Sequence, residues 1–187
     1  MKKVLVVYHS GYGHTAFAAQ KVAEGVKKNE LVEVELLEVG KGPTNFDLFK
    51  SADAIIFGSP TYMGNVSAGF KTFMDESSGL WLKREWEHKL AAGFTVSGSP
   101  SGDKLATLQA LATFAFQHGM LWAGYSRLPE FYSGVPVDES RNRLGSFTGL
   151  MMQAAQVAPE EAFLKGDLAS AIDFGEQIAN VLTKKLK

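Results

Sequence analysis

The 187-residue chain contains no cysteine. Thiol redox chemistry, disulfides and Cys-ligated zinc or iron–sulfur centres are therefore excluded. Any electron transfer must be carried by a bound cofactor. The chain also has no excess of either charge: 19 Lys and Arg against 20 Asp and Glu leave a formal net of −1. A nucleic-acid surface needs clustered cations, so nucleic acid is not an expected partner. Long apolar runs are lacking too. No stretch approaches the roughly 18–20 apolar residues of a membrane span. Met1-Lys2-Lys3 has the charge of a signal n-region, but the apolar run behind it stops at Tyr8-His9, too short for an h-region. The expectation is a soluble, cytoplasmic protein with no membrane partner. His9 and His14 have no acid or third histidine at ligand spacing, so no metal is expected.

Apolar runs alternate with helical patterns. Val4–Tyr8 reads as a strand buried on both faces, and Ala16–Lys28 as a helix with Ala19, Val22, Ala23 and Val26 on one side. Leu31–Leu37 alternates as a strand nearer the sheet edge does, and Asp47–Lys50 is a short helical turn. Ala52–Phe57 is a third strand and Ser67–Asp75 a helix. Leu90–Val96 is a fourth strand, followed by a helix over Lys104–Gln117 that Asp103 is placed to cap. Met120–Tyr125 reads as the last central strand. Residues 128–149 are irregular, a surface excursion that interrupts or follows it. The last helix spans Asp167–Lys184, its terminal lysines suited to the negative end of the dipole. Strand–helix alternation of this kind predicts one α/β domain over residues 1–187. Its sheet is doubly wound, five-stranded and parallel, with helices on both faces.

Ligands on such sheets sit at the carboxyl ends of the strands. Three of those ends carry loops rich in Gly, Ser and Pro. The first is Ser10-Gly11-Tyr12-Gly13-His14-Thr15, between the first strand and its helix. A helix start offers unpaired N–H groups and a partial positive charge, the glycines allow close approach, and the hydroxyls of Ser10 and Thr15 add donors. With no Lys or Arg in the loop, a phosphate here is held by dipoles and hydroxyls. The second is Pro60-Thr61-Tyr62-Met63-Gly64-Asn65, where Tyr62 and Met63 are placed to flank a flat ring or to cover the core edge. The third, Ser97-Gly98-Ser99-Pro100-Ser101, is either a wrap around the polar edge of that ring or an ordinary turn.

The first loop also fits G-x-G-x-x-A, the dinucleotide fingerprint, with Glu38 where a ribose-binding acid belongs. That reading leaves the second and third loops without a role. A P-loop is ruled out because no Gly-Lys-Ser/Thr follows the glycines. A phospho-receiver is ruled out because Asp53 opens its strand instead of closing it. Trp81, in a polar segment, is an anchor or a stacking surface, the anchor being the commoner case. His118 before Gly119 reads as a C-terminal helix cation or as a donor into the site. Arg141 and Arg143 are loop charges or phosphate contacts.

These residues resemble the flavodoxin superfamily. More narrowly, the chain is similar to the tryptophan-repressor-binding-protein group of FMN-dependent NAD(P)H:quinone oxidoreductases. The similarity is strongest in Tyr8–Thr15, Ala54–Asp75, Gly79-Leu80-Trp81, Lys89–Gly102 and His118-Gly119-Met120. The resemblance implies that Ser10 to Thr15 hold the FMN phosphate, with Tyr12 also near the nicotinamide. It implies that Pro60 to Asn65 contact the isoalloxazine ring, chiefly through Thr61, Tyr62 and Met63. Ser97, Gly98, Ser99, Pro100 and Ser101 bind the pyrimidine edge. His118 reaches the flavin of a neighbouring subunit, and Trp81 lines the pocket where nicotinamide and quinone alternate. A homodimer or homotetramer is implied, with NADH or NADPH as donor and a quinone as acceptor. A single-electron carrier of the flavodoxin type, or a general NAD(P)H-dependent FMN reductase, is the alternative. The chain differs from the group in its short link Gly40–Asn45, in Met63 in place of a Phe, in Pro100 within the third loop, and over residues 142–147.

Overall fold

The first apolar run decides the layering. In β1 (Lys2–Tyr8), Val4 and Val6 point to one face and Leu5 and Val7 to the other, and all four are fully buried. A strand covered on both faces belongs in the middle of a parallel sheet. The computed structural model, which describes residues 1–183, puts it there. The terminal lysines lie outside the described residues.

The elements follow in the order β1, α1 (His14–Val26), β2 (Val32–Glu38), α2 (Asp47–Lys50), β3 (Ala54–Tyr62), β4 (Asn65–Val66), α3 (Ala68–Glu76), α4 (Ser78–Leu82), β5 (Leu90–Ser97), α5 (Lys104–Gln117), β6 (Leu121–Trp122), β7 (Leu150–Gln153) and α6 (Lys165–Thr183). The sheet order is β2-β1-β3-β5-β6, parallel throughout, with β7 also parallel to β5 and β4 returning antiparallel on β3. This is the expected five-position, doubly wound α/β sheet. On one face α1 and α6 close over Val4, Val6, Phe94 and Met152. Their backbones nearly touch: a Cβ on Gly175 would lie 2.0 Å from the Val22 carbonyl oxygen, and one on Gly25 1.9 Å from that of Ile172. On the other face α2, α3, α5 and the turn after α4 cover Leu5, Val7 and Phe57 with Phe49, Phe70, Phe73, Phe114 and Trp86.

Four expectations need correction. The last strand does not run unbroken over Met120–Tyr125. Leu121 and Trp122 pair with Leu90 and Ala91, while residues 150–153 pair with Phe94–Ser97 higher on the same edge. The chain leaves after Ala123, whose N–H still bonds the Ala91 carbonyl at 2.7 Å, and Tyr125 then bonds Phe147 on the returning segment. The excursion over residues 123–149 is tied to α6: Arg127 and Tyr125 donate to Asp173, Asn142 N–H to Ser170 and Arg143 to Asp167. Second, β3 continues past Gly58-Ser59-Pro60 to Tyr62, because Ser59 and Pro60 stay in register with Thr95 and Val96. Third, Asp103 does not cap α5. Its backbone is left-handed (φ 53°) and its carboxylate accepts no bond from the helix start. Fourth, α4 forms at Ser78–Leu82, where no helix is expected.

Candidate functional site

Strand ends, loops and helix starts meet at the carboxyl rim of β1, β3, β5 and β7. A cavity of about 740 Å³ lies there, within the range of small-molecule sites. Ser10, Tyr12, His14 and Thr15 form one wall, Pro60 and Tyr62 a second, and Val96, Ser97 and Gly98 a third. Residues 154–159 close the fourth.

The first loop is shaped as an anion cradle. Ser10, 3 % exposed, turns its hydroxyl inward to accept from the N–H groups of Gly13 (3.1 Å) and Ala16 (3.2 Å). It braces the loop from within. Gly13 sits at φ 90°, which favours glycine, and a Cβ there would meet Pro159 at 2.9 Å. A Cβ on Gly11 would meet the Tyr62 hydroxyl at 2.6 Å. The amides of Tyr12, His14 and Thr15 have no acceptor among the described residues. Neither does the Thr15 side chain, which faces the cavity. Three free amides and a free hydroxyl at the start of α1 fit a phosphate group. Tyr12 and Tyr62 meet edge to face with centroids 6.2 Å apart, at the cavity mouth. Burial, and secondarily Tyr12, holds the Tyr62 phenol above its ordinary pKa, so it remains a neutral donor.

The second loop contributes less than its sequence promises. Pro60 and Tyr62 line the cavity, but Met63 is fully exposed at the tip of the β3–β4 hairpin. Met63 (φ 48°) and Gly64 (φ 75°) make that reversal. Asn65 spends its side-chain oxygen on the N–H of Val66. Thr61 points beneath the site, where its hydroxyl bonds Thr95 and Thr107, each at 2.8 Å. The third loop offers Ser97 and Gly98 to the cavity, and the amides of Gly98 and Ser99 have no acceptor among the described residues. Ser99, Pro100 and Ser101 continue it, exposed and outside the lining.

Trp81 and His118 do not line this cavity. Trp81 is half-buried on α4, 43 % exposed, while Trp86 is fully buried and stacks on Phe49 with centroids 4.9 Å apart. His118 is 2 % exposed, stacked on Trp86 at 4.2 Å, with Nε2 3.0 Å from the Ser77 hydroxyl and Nδ1 without a partner. Burial, aided by Arg84, brings its pKa down to about 4. It is neutral at pH 7, not a helix-end cation, and within its own chain its ring packs in the core. Arg143 is likewise internal, paired with Asp167 at 2.8 Å, and Arg141 pairs with Glu130 at 2.8 Å. Among the described residues no three His, Asp or Glu side chains cluster as metal ligands, and no helix is long and apolar enough to cross a membrane.

The fourth wall, Ala154-Ala155-Gln156-Val157-Ala158-Pro159, has no signal in the sequence. It carries no glycine and no charge to mark it. It becomes visible only once residues 150–153 are known to form the upper half of the fifth strand, which makes the next residues a rim loop. The His14 ring nitrogen Nε2 lies 2.9 Å from the Val157 carbonyl oxygen and ties this wall to the cradle.

Residues 3–129 match the family described as NADPH-dependent FMN reductase. The chain is 38 % identical to flavodoxin FldP of Pseudomonas aeruginosa, across 97 % of both chains. It is 32 % identical to an NAD(P)H dehydrogenase (quinone) of Archaeoglobus fulgidus, across 98 % of this chain and 99 % of that one. A WrbA-like flavodoxin from Agrobacterium tumefaciens superposes with a TM-score of 0.75 at 36 % identity, covering 97 % of this chain and 98 % of that one. The chain therefore belongs to the NADPH-dependent FMN reductase family, as a WrbA-like member of the flavodoxin superfamily, and its cofactors are the FMN and nicotinamide donor of that family.

Proposed function

We propose that the protein is an FMN-dependent oxidoreductase that passes two electrons from NADH or NADPH to a quinone. The observation that carries this reading is the joining of an anion cradle and a roomy, aromatic-edged cavity at one sheet rim. Bound FMN supplies the chemistry, accepting a hydride and releasing two electrons. The chain's own residues bind and orient. The amides of Tyr12, His14 and Thr15 and the Thr15 hydroxyl hold the phosphate. Gly98 and Ser99 offer amide donors to the polar edge of the ring, and Tyr12 and Tyr62 shield the mouth from water.

Trp81, exposed on α4, is available to a second copy of the chain. His118 acts behind it as a positioning residue, since its partner Ser77 is the residue from which α4 starts. The 32 % identity to a quinone-reducing dehydrogenase favours the quinone as acceptor. Initial rates with NADH and benzoquinone varied together test the shared cavity. Parallel reciprocal plots are expected, because one pocket serves both reactants in turn. Intersecting plots would require both to be bound at once and would count against it.

The 38 % identity to a flavodoxin favours a second reading, an electron carrier between proteins. Such carriers use a strong acidic field to steer docking. A net charge of −1 supplies little of it.

A further inference from the structure

Lys104 is placed against three ordinary preferences. It is fully buried, although a lysine is almost never so without a charged partner. It is the first residue of α5, where the helix dipole already disfavours a cation. It also has no carboxylate within 4 Å among the described residues. Asp167, the acid whose field it feels, is engaged by Arg143 through two bonds of 3.0 and 2.8 Å. The ammonium instead donates to the Ser97 hydroxyl (2.8 Å) and the Ser99 carbonyl (2.6 Å). Both belong to the third loop, directly behind the cavity wall made by Ser97 and Gly98. Gln153 braces the same loop from the β7 side, donating to the Gly98 carbonyl at 3.2 Å. Departures of this kind are expected at functional or strained positions.

We propose that Lys104 is a positioning residue that sets the redox poise of the site. Its positive charge, which no carboxylate contacts directly and which is held behind residues 97–99, favours the negative charge that the pyrimidine edge of FMN gains on two-electron reduction. This rests on the FMN reading above. When a dihydronicotinamide is the reductant, its C–H bond breaks and an N–H bond forms on the flavin. Two electrons and one proton cross together and the donor leaves as the oxidised cation. The ring keeps one added negative charge, which a cation behind the third loop stabilises through the intervening protein. Burial lowers the pKa of Lys104 to about 8, with Asp167 opposing and Arg143 adding to the effect, so the amine remains mostly protonated at pH 7. A lysine that only holds the loop would aid both oxidation states of the flavin equally. One that sets the potential would favour the reduced state.

The test is to measure the affinity of the protein for oxidised FMN and the midpoint potential of the bound flavin, in the native chain and in Lys104→Met, Lys104→Gln and Lys104→Arg. Removing the charge should weaken reduced FMN about tenfold more than oxidised FMN, a midpoint lower by about 30 mV for a two-electron couple. Lys104→Arg should keep most of the native potential. Lys104→Gln retains donors for Ser97 and Ser99, so it carries the same test if the Met variant does not fold. Equal weakening of both states, with an unchanged potential, would overturn the proposal and leave Lys104 a loop brace. A shift in Lys104→Arg as large as in Lys104→Met would also overturn it. Failure of the native chain to bind FMN at all is a separate result that overturns the site reading itself.

Discussion

Thr15 is the residue on which phosphate binding depends most simply. Its hydroxyl faces the cavity from a buried position at the start of α1 and has no partner among the described residues. Thr15→Val nearly keeps the volume and removes one hydrogen bond, worth about 0.5–1.5 kcal/mol. FMN affinity measured by fluorescence quenching should therefore fall two- to tenfold, with the melting temperature of the apoprotein unchanged. His118 makes a prediction of a different kind. Its pKa is about 4 in the fold, against about 6.5 when unfolded. The unfolded chain thus takes up a proton that the native state refuses, so stability is full above pH 6.5 and is lost as the pH falls toward 4. Between pH 7 and pH 5 this contribution is about 2 kcal/mol. His118→Gln should show that much less pH dependence in its unfolding free energy, measured by urea titration at pH 7 and pH 5. At this scale the sequence exposes chemistry only where the residue type is unusual for its setting. Ser10, Gly13 and Thr15 stand out in a loop after an apolar run, and they do build the cradle. Met63 and Thr61 look equally suitable, yet hairpin geometry turns one to solvent and the pleat turns the other beneath the site. Lys104 stays hidden, because a lysine opening a helix reads as an ordinary solvated charge.

Among the elements, the α1–α6 crossing holds one face of the sheet and positions both the cradle and the N-terminus of α6. Its close approach depends on Gly25 and Gly175, whose added Cβ atoms would meet backbone oxygens and not yielding side chains. Gly175→Ala should force the helices apart and cost about 1–3 kcal/mol. For a domain of this size that lowers the melting temperature by roughly 2–4 °C per kcal/mol. Gly79→Ala on α4, with nothing within 4 Å of the added carbon, is the control and should leave the melting temperature level or raise it. The elements legible in the sequence are those with one uninterrupted period. β1 and β5 are continuous apolar runs, and α5 matches its expected bounds residue for residue. The divided fifth strand is illegible because each half is too short to show a period. Only the pairing of Leu121–Trp122 and Leu150–Gln153 with the same neighbour joins them. The fourth wall of the cavity was lost with it.

For the whole molecule, exposed apolar side chains also occur outside the cavity rim. Trp81 and Leu82 close α4, and Arg84 just beyond donates to the Gln117 carbonyl beside the exposed Phe116. If Trp81 serves the pocket of a second copy, Trp81→Ala should raise the KM for quinone severalfold while leaving FMN affinity intact. Unchanged quinone kinetics would confine Trp81 to its own surface. In the proposed cycle one cavity takes electrons from a nicotinamide and gives them to a quinone through FMN. The most direct test is the visible spectrum of the FMN-loaded protein, followed without oxygen as NADH and then benzoquinone are added. The flavin bands should bleach with one equivalent of NADH and return fully with one equivalent of benzoquinone. Flavin that binds but does not bleach with either NADH or NADPH would contradict it and favour the electron carrier.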